Sequence, residues 1–191
     1  MTAEQFLFYE MRIVSRLYQE GRPPDDIIAS VKRDNLFQYP TERELPRLAR
    51  ACHRRLVALG NDRLIRHLAT APAAVAKQIN LYAMMRDNRL AREFMVNLVG
   101  EKYRLRDYSF TRQDINVFFL RLQEQNEDVA AWSDKTIVKL KGVLKKCLLE
   151  TEMLINPRDT VLNPILISAE LESGIRENSD LSALAAFNCF R

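Results

Sequence analysis

Four arginines in one stretch of the chain could bind phosphate groups. Residues 41–59 read TERELPRLARACHRRLVAL, and these arginines recur at the i, i+4, i+7, i+11 spacing of a single helical face. Guanidinium groups bind phosphate bidentately and keep their charge at physiological pH. A helix here would hold a row of cations suited to a nucleic-acid backbone. We name this row the arginine stripe; its members are Arg43, Arg47, Arg50 and Arg54.

The arginine stripe has two interpretations. A charged row opposite an apolar row is commonly a solvated surface, but such surfaces normally mix both signs. This one carries no acid between Arg47 and Leu59, and residues 42–66 hold seven arginines against three acids. The opposite face is apolar and is predicted to be buried; it contains Leu45, Leu48, Cys52, Leu56 and Leu59.

The start of this helix is less regular than its middle. Thr41 and Glu44 have the spacing of a capping box, but Pro46 would then lie too deep in the helix. Either the first turn is irregular or the helix begins near Leu45. Arg43 is therefore the least secure member of the stripe.

A second cationic helix is predicted over residues 133–155. Ser133 is a good N-cap, and apolar residues then alternate by three and four, which predicts a long central helix. Residues 133–146 contain five lysines and one acid. Three of these lysines lie opposite the apolar seam, so they form either a solvated face or a second phosphate-binding surface: Lys135, Lys139 and Lys146.

The elements that position these residues are predicted to be helices of one domain, residues 1–191. The chain has 191 residues, 47% of them hydrophobic, and only five Gly and seven Pro, which argues against linkers. Helical periodicity predicts an all-α fold of about eight to ten helices, with a capping box at residues 2–5. Alternatively, the domain divides into two sub-lobes: a helix-turn-helix-like part at 1–60 and a helical bundle at 61–191. Near residues 160–167 either a short β-hairpin or an extended connection is expected.

Several classes of function lack their signatures. There is no Gly-rich phosphate loop, HExxH, GxSxG or paired-cysteine site, and His53 and His67 lie fourteen residues apart. We therefore expect no catalysis, no metal site and no cofactor. Three cysteines in no CxxC pair fit a reducing cytoplasm, with Cys52 and Cys147 as core residues. No run of 18 apolar residues occurs, so no membrane partner is expected.

Four segments carry a resemblance to a known family. They read FLFYEMRIVSRLYQEG, NLFQYPTERELPRLARACHRRLVAL, REFMVNLVGEKY and WSDKTIVKLKGVLKKCLLE. In this order they resemble the BrxA family, accessory proteins of BREX phage-defence clusters. The likeness extends over nearly the whole chain, and it is clearest in RRLVAL and in the start of the lysine-rich helix.

The resemblance implies a NusB-like helical bundle that binds double-stranded DNA and supports resistance to phage. The arginine stripe and the three lysines agree with this, and four phosphate contacts would give a log–log salt slope of roughly −3.6. Two alternatives stay open: a protein-interaction adaptor whose basic faces bind an acidic partner, such as another BREX protein, and an RNA-binding NusB-like factor.

Overall fold

A computed structural model describes residues 5–190, and the prediction of an all-α fold is confirmed there. Eleven α-helices are joined by 3₁₀ turns at Glu42–Glu44 and Leu181–Phe187 and by a π-helical stretch at Phe94–Gly100. The α-helices are α1 (Phe8–Gln19), α2 (Pro24–Arg33), α3 (Leu45–Leu59), α4 (Asp62–Thr70), α5 (Ala73–Asp87), α6 (Arg89–Glu93), α7 (Glu101–Arg104), α8 (Arg112–Gln125), α9 (Glu127–Ala130), α10 (Asp134–Glu150) and α11 (Ala169–Glu177). The capping box predicted at residues 2–5 falls mostly outside the described residues.

Contacts divide the chain into two compact units. The first unit comprises Phe6–Asp87 and Ser168–Asp180, and the second comprises, among the described residues, Gln5, 88–167 and 181–190. The boundary between the two units therefore lies after α5 and not at residue 60, because α4 and α5 pack on α1 and α3. The single-domain organisation and its NusB-like arrangement stay predictions.

In the first unit, α5 is the most enclosed helix. It is buried on nearly all sides from Ala76 to Met85, whereas α3 buries only the face that the leucine spacing predicts. Helix α11 approaches α4 so closely that a Cβ at Gly174 would lie 2.5 Å from Leu64 Cδ1. A glycine is therefore needed at this crossing.

The local signals around α3 explain its bounds. The helix begins at Leu45 with Pro46 in its first turn, after the 3₁₀ turn, so the alternative of a late start is confirmed. Thr41 makes no capping hydrogen bond through its side chain. Gly60 ends the helix in the left-handed conformation with φ of 59°, which glycine adopts without a Cβ clash.

Two sequence-based expectations need correction in the second unit. Helix α10 begins after the Ser133 cap but ends at Glu150, not 155, because Glu152 turns into the left-handed region with φ of 61°. The β-hairpin near residues 160–167 is absent from the described residues. Instead, Val161 forms one antiparallel bridge with Ser109, and the Asn163 backbone N–H donates a 2.8 Å hydrogen bond to the Met153 carbonyl. The segment is therefore an extended connection.

A buried lysine joins three segments of the second unit. The Lys102 ammonium lies 2.9 Å from carboxylate oxygens of both Asp107 and Asp114, and Asp114 also caps α8 through Thr111. Hydrogen bonds from Ser109 and Lys102 lower the Asp107 pKa to about 2. Burial would raise the Asp114 pKa, but Thr111 and Lys102 outweigh it and lower the pKa.

Replacing Lys102 with Met should lower the urea midpoint at pH 7, because it leaves two carboxylates without their shared cation. Carboxylates with lowered folded-state pKa values contribute stability above their unfolded pKa and lose it as pH falls through the folded one. The midpoint difference between Lys102→Met and wild type should therefore shrink between about pH 4 and pH 2. A difference that stays constant over this range would contradict the role assigned to the two aspartates.

Candidate nucleic-acid interface

The four members of the arginine stripe are all solvent-exposed. Arg47, Arg50 and Arg54 project from α3, and Arg43 lies in the 3₁₀ turn before it. The apolar face behind them is fully buried. The predicted side of the helix is therefore the one that meets solvent.

Acidic side chains engage two of the four arginines. Arg47 makes an ion pair of 2.7 Å with Glu44, one turn earlier. Arg54 donates two hydrogen bonds, of 2.7 and 3.0 Å, to the carboxylate of Asp87 at the end of α5. That carboxylate is only 8% exposed. The row of four cations that the sequence predicts is therefore partly neutralised, at Arg47 and Arg54.

Arg43 and Arg50 are the two members of the stripe that no acidic side chain of the described residues neutralises. Within residues 5–190 neither makes an ion pair. His53 is half-buried beside the Tyr18 ring, and burial lowers its pKa, which favours the neutral imidazole. The stripe is a weaker cationic surface than its sequence indicates.

Replacing Asp87 with Asn should strengthen binding of a mixed-sequence DNA duplex if the arginine stripe contacts DNA. The change removes the carboxylate charge that engages Arg54, and one added phosphate contact is worth roughly two- to eightfold at 0.1 M salt. Fluorescence anisotropy with a labelled duplex measures the change.

The matched control is Glu177→Gln, which removes one carboxylate charge beside Arg63, outside the stripe. Equal affinity of Asp87→Asn and wild type would remove the stripe from the DNA interface. Equal gains for both variants would assign the effect to net charge alone.

The three candidate lysines form one exposed row on α10, which we name the lysine face. Lys135, Lys139 and Lys146 are exposed, at i, i+4 and i+11 of one helical row. Lys146, which is itself exposed, makes an ion pair of 2.8 Å with Glu150 one turn later, and such i,i+4 pairs at a helix surface contribute little energy. Lys135 and Lys139 make no ion pair within the described range. Each surface therefore keeps two exposed cations without an ion pair to any of the residues described. We rank the lysine face first because its two lie one turn apart on a single helix, whereas Arg43 lies in the 3₁₀ turn before α3.

Arg55 behaves unlike its neighbour Arg54. It is 2% exposed, and its Nη1 donates a 3.0 Å hydrogen bond to the carbonyl of Phe6, which also accepts from Asn80 at 2.7 Å. Arg55 follows Leu48 by seven residues and thus lies about 20° from it around the helix. That spacing is the signal in the sequence that assigns Arg55 to the interior.

The described residues, 5–190, hold no group of three or more His, Cys, Asp or Glu side chains placed to bind a metal ion. Cys52 and Cys147 are buried in the core and form no disulfide, as predicted, and Cys189 is half-buried. Over the same range, no helix combines the length and apolar character needed to cross a bilayer.

Comparison with known proteins assigns the chain to a family. The BrxA family model matches residues 1–179. A protein of Bacillus cereus (strain H3081.97) named "BREX protein BrxA" is 36% identical over 152 residues, covering 80% of this chain and 76% of that protein. A second protein of that name, from Paramagnetospirillum magneticum (strain ATCC 700264 / AMB-1), is 22% identical over 171 residues, covering 90% and 85%.

A solved structure has the same fold. The crystal structure of an uncharacterized protein from Magnetospirillum magneticum superposes with a TM-score of 0.83 at 20% identity, covering 97% of this chain and 94% of that one. The family match covers far more than half of the sequence, and the first curated relative exceeds 30% identity. The chain therefore belongs to the BrxA family.

Proposed function

We propose that this protein is a non-enzymatic component of a BREX-type phage-resistance system that binds duplex DNA through the lysine face. Family membership and the names of the two curated relatives support the BREX assignment. The lysine face supports the DNA assignment. Its decisive feature is that Lys135 and Lys139 are exposed cations without an ion pair in the described part of the chain.

The dimensions of the lysine face suit a phosphate backbone. Lys135 and Lys146 are eleven residues apart, which corresponds to about 16 Å along a helix. One strand of B-DNA advances about 3.4 Å per phosphate along the axis, so such a row spans several phosphates. Lysine binds each phosphate as a mobile point charge.

The same features favour binding that does not depend on base sequence. Contacts to phosphates fix position on a duplex but do not read bases. The lysine face contains no aromatic side chain on which single-stranded bases could stack. Arg50 and Arg43 are the secondary candidates, whereas Arg47 and Arg54 contribute only when their acidic partners are displaced.

The test is a salt titration of binding to a mixed-sequence 20-base-pair duplex, followed by fluorescence anisotropy. Three phosphate contacts predict a slope of about −2.7 for log affinity against log salt. Unlabelled single-stranded DNA and RNA serve as competitors. Preferential displacement by RNA would support the RNA-binding alternative, and absence of duplex binding at low salt would reject the proposal.

A further inference from the structure

A cationic cleft lies in the second unit between α8, α10 and residues 157–160. Its volume is about 670 Å³. The side chains that matter are four cations and two aliphatic residues: Arg112, Lys141, Lys145, Arg158, Ile115 and Val138. We name it the α8–α10 cleft. It adjoins the lysine face. Gly142 follows Lys135 by seven residues and lies about 20° from it around α10, whereas Val138 and Lys145 lie about 60° and 80° from Lys135.

The charge of the cleft is strongly one-sided. None of its four cations makes an ion pair within residues 5–190. Lys141 is held in place, because its ammonium donates to Asn116 Oδ1 at 2.8 Å and lies 5.4 Å above the Phe119 ring. The one acid in the lining, Asp159, accepts hydrogen bonds from the backbone N–H groups of Ile155 and Asn156.

An exposed apolar side chain lines the cleft together with these cations. Val138 is 69% exposed, although it belongs to a helix whose other face is well buried. An exposed aliphatic group in the same cleft as several cations suits a ligand that is both apolar and acidic.

Gly142 is a second feature of the cleft that points to a bound polypeptide. It lies in the middle of α10 and lines the cleft, where glycine weakens a helix relative to alanine. A Cβ added there would meet no other atom within 4 Å, so packing within the described chain does not require glycine. Close approach of another polypeptide backbone would require it.

We propose that the α8–α10 cleft binds a segment of another protein that carries Asp or Glu residues next to an aliphatic residue. The acids would pair with Arg112, Lys145 and Arg158, and the aliphatic side chain would pack on Val138. A nucleotide fits less well, because Phe110 is the aromatic residue of the lining and is buried, leaving no exposed ring for a base. This inference concerns a protein partner and does not depend on the DNA proposal.

The probe is a yeast-displayed library of random 15-residue peptides, selected against the full chain at physiological salt. Enriched peptides should share net negative charge and an aliphatic residue. Val138→Asp and the pair Lys145→Glu with Arg158→Glu should each weaken a selected peptide at least tenfold. Leu120→Asp is the matched control, because Leu120 is 56% exposed on α8 but does not line the cleft, and it should leave affinity unchanged.

Two glycine variants separate folding from binding. Gly142→Ala should raise the urea midpoint, since it improves the helix without a clash, whereas Gly142→Leu should stay folded and lose peptide binding. No enriched peptide family, a family without acidic residues, or equal binding to Val138→Asp and Leu120→Asp would overturn the proposal. Loss of duplex DNA binding in the cleft variants, with peptide binding intact, would overturn it in favour of a nucleic-acid site.

Discussion

Replacing Lys135, Lys139 and Lys146 together with glutamine should weaken binding to a mixed-sequence duplex by about 100-fold at 0.1 M salt. Each phosphate contact releases counterions, so losing three should also make the log–log salt slope less negative by about 2.7. Glutamine keeps the helix propensity and length of lysine closely enough for α10 to stay folded. Fluorescence anisotropy at several salt concentrations measures both quantities.

A matched triple variant distinguishes the lysine face from net charge. Arg104→Gln, Arg106→Gln and Arg121→Gln remove the same three positive charges from exposed positions elsewhere in the second unit. This control should change affinity only slightly and leave the slope nearly unchanged. Equal losses in the two triple variants would mean that DNA responds to overall charge, and the lysine face would no longer be the interface.

Replacing Arg55 with Ala should lower the free energy of unfolding by about 3 kcal/mol. The side chain is fully enclosed, so its removal leaves a cavity in the first unit and takes away a hydrogen bond to the Phe6 carbonyl. Urea denaturation followed by circular dichroism at 222 nm measures the loss.

Two further variants isolate the cause of the Arg55 effect. Arg55→Met keeps most of the volume and avoids burying a charge, so it should cost clearly less than Arg55→Ala. Arg50→Ala, an exposed arginine on the same helix, should stay within about 0.5 kcal/mol of wild type. If Arg55→Ala matched Arg50→Ala, the anchoring role of Arg55 would be rejected.

Local signals allowed much of the helical architecture to be predicted. Ser133 caps α10, and Thr111 with Asp114 forms the capping box of α8, because an N-cap depends on residues within one turn. The buried side of α3 followed from leucine spacing alone. The exposed sides of α3 and α10 followed equally, since burying one face of an amphipathic helix leaves the other in solvent.

Charge compensation between distant segments could not be predicted in this way. Asp87 lies 33 residues after Arg54 and engages it only because α5 packs against α3. Arg112 and Arg158 join Lys141 and Lys145 in one cleft, although they come from separate segments with no shared motif.

The sequence by itself determined the helices, their caps and which residues could be cationic surface, because these depend on neighbours within one or two turns. The tertiary structure alone decided that Asp87 compensates Arg54 and that Arg112 and Arg158 join Lys141 and Lys145, because these contacts depend on how distant segments pack. The Arg47–Glu44 and Lys146–Glu150 pairs are local, at i,i+3 and i,i+4. The tertiary structure also moved the leading candidate from the arginine stripe to the lysine face, and it revealed the α8–α10 cleft.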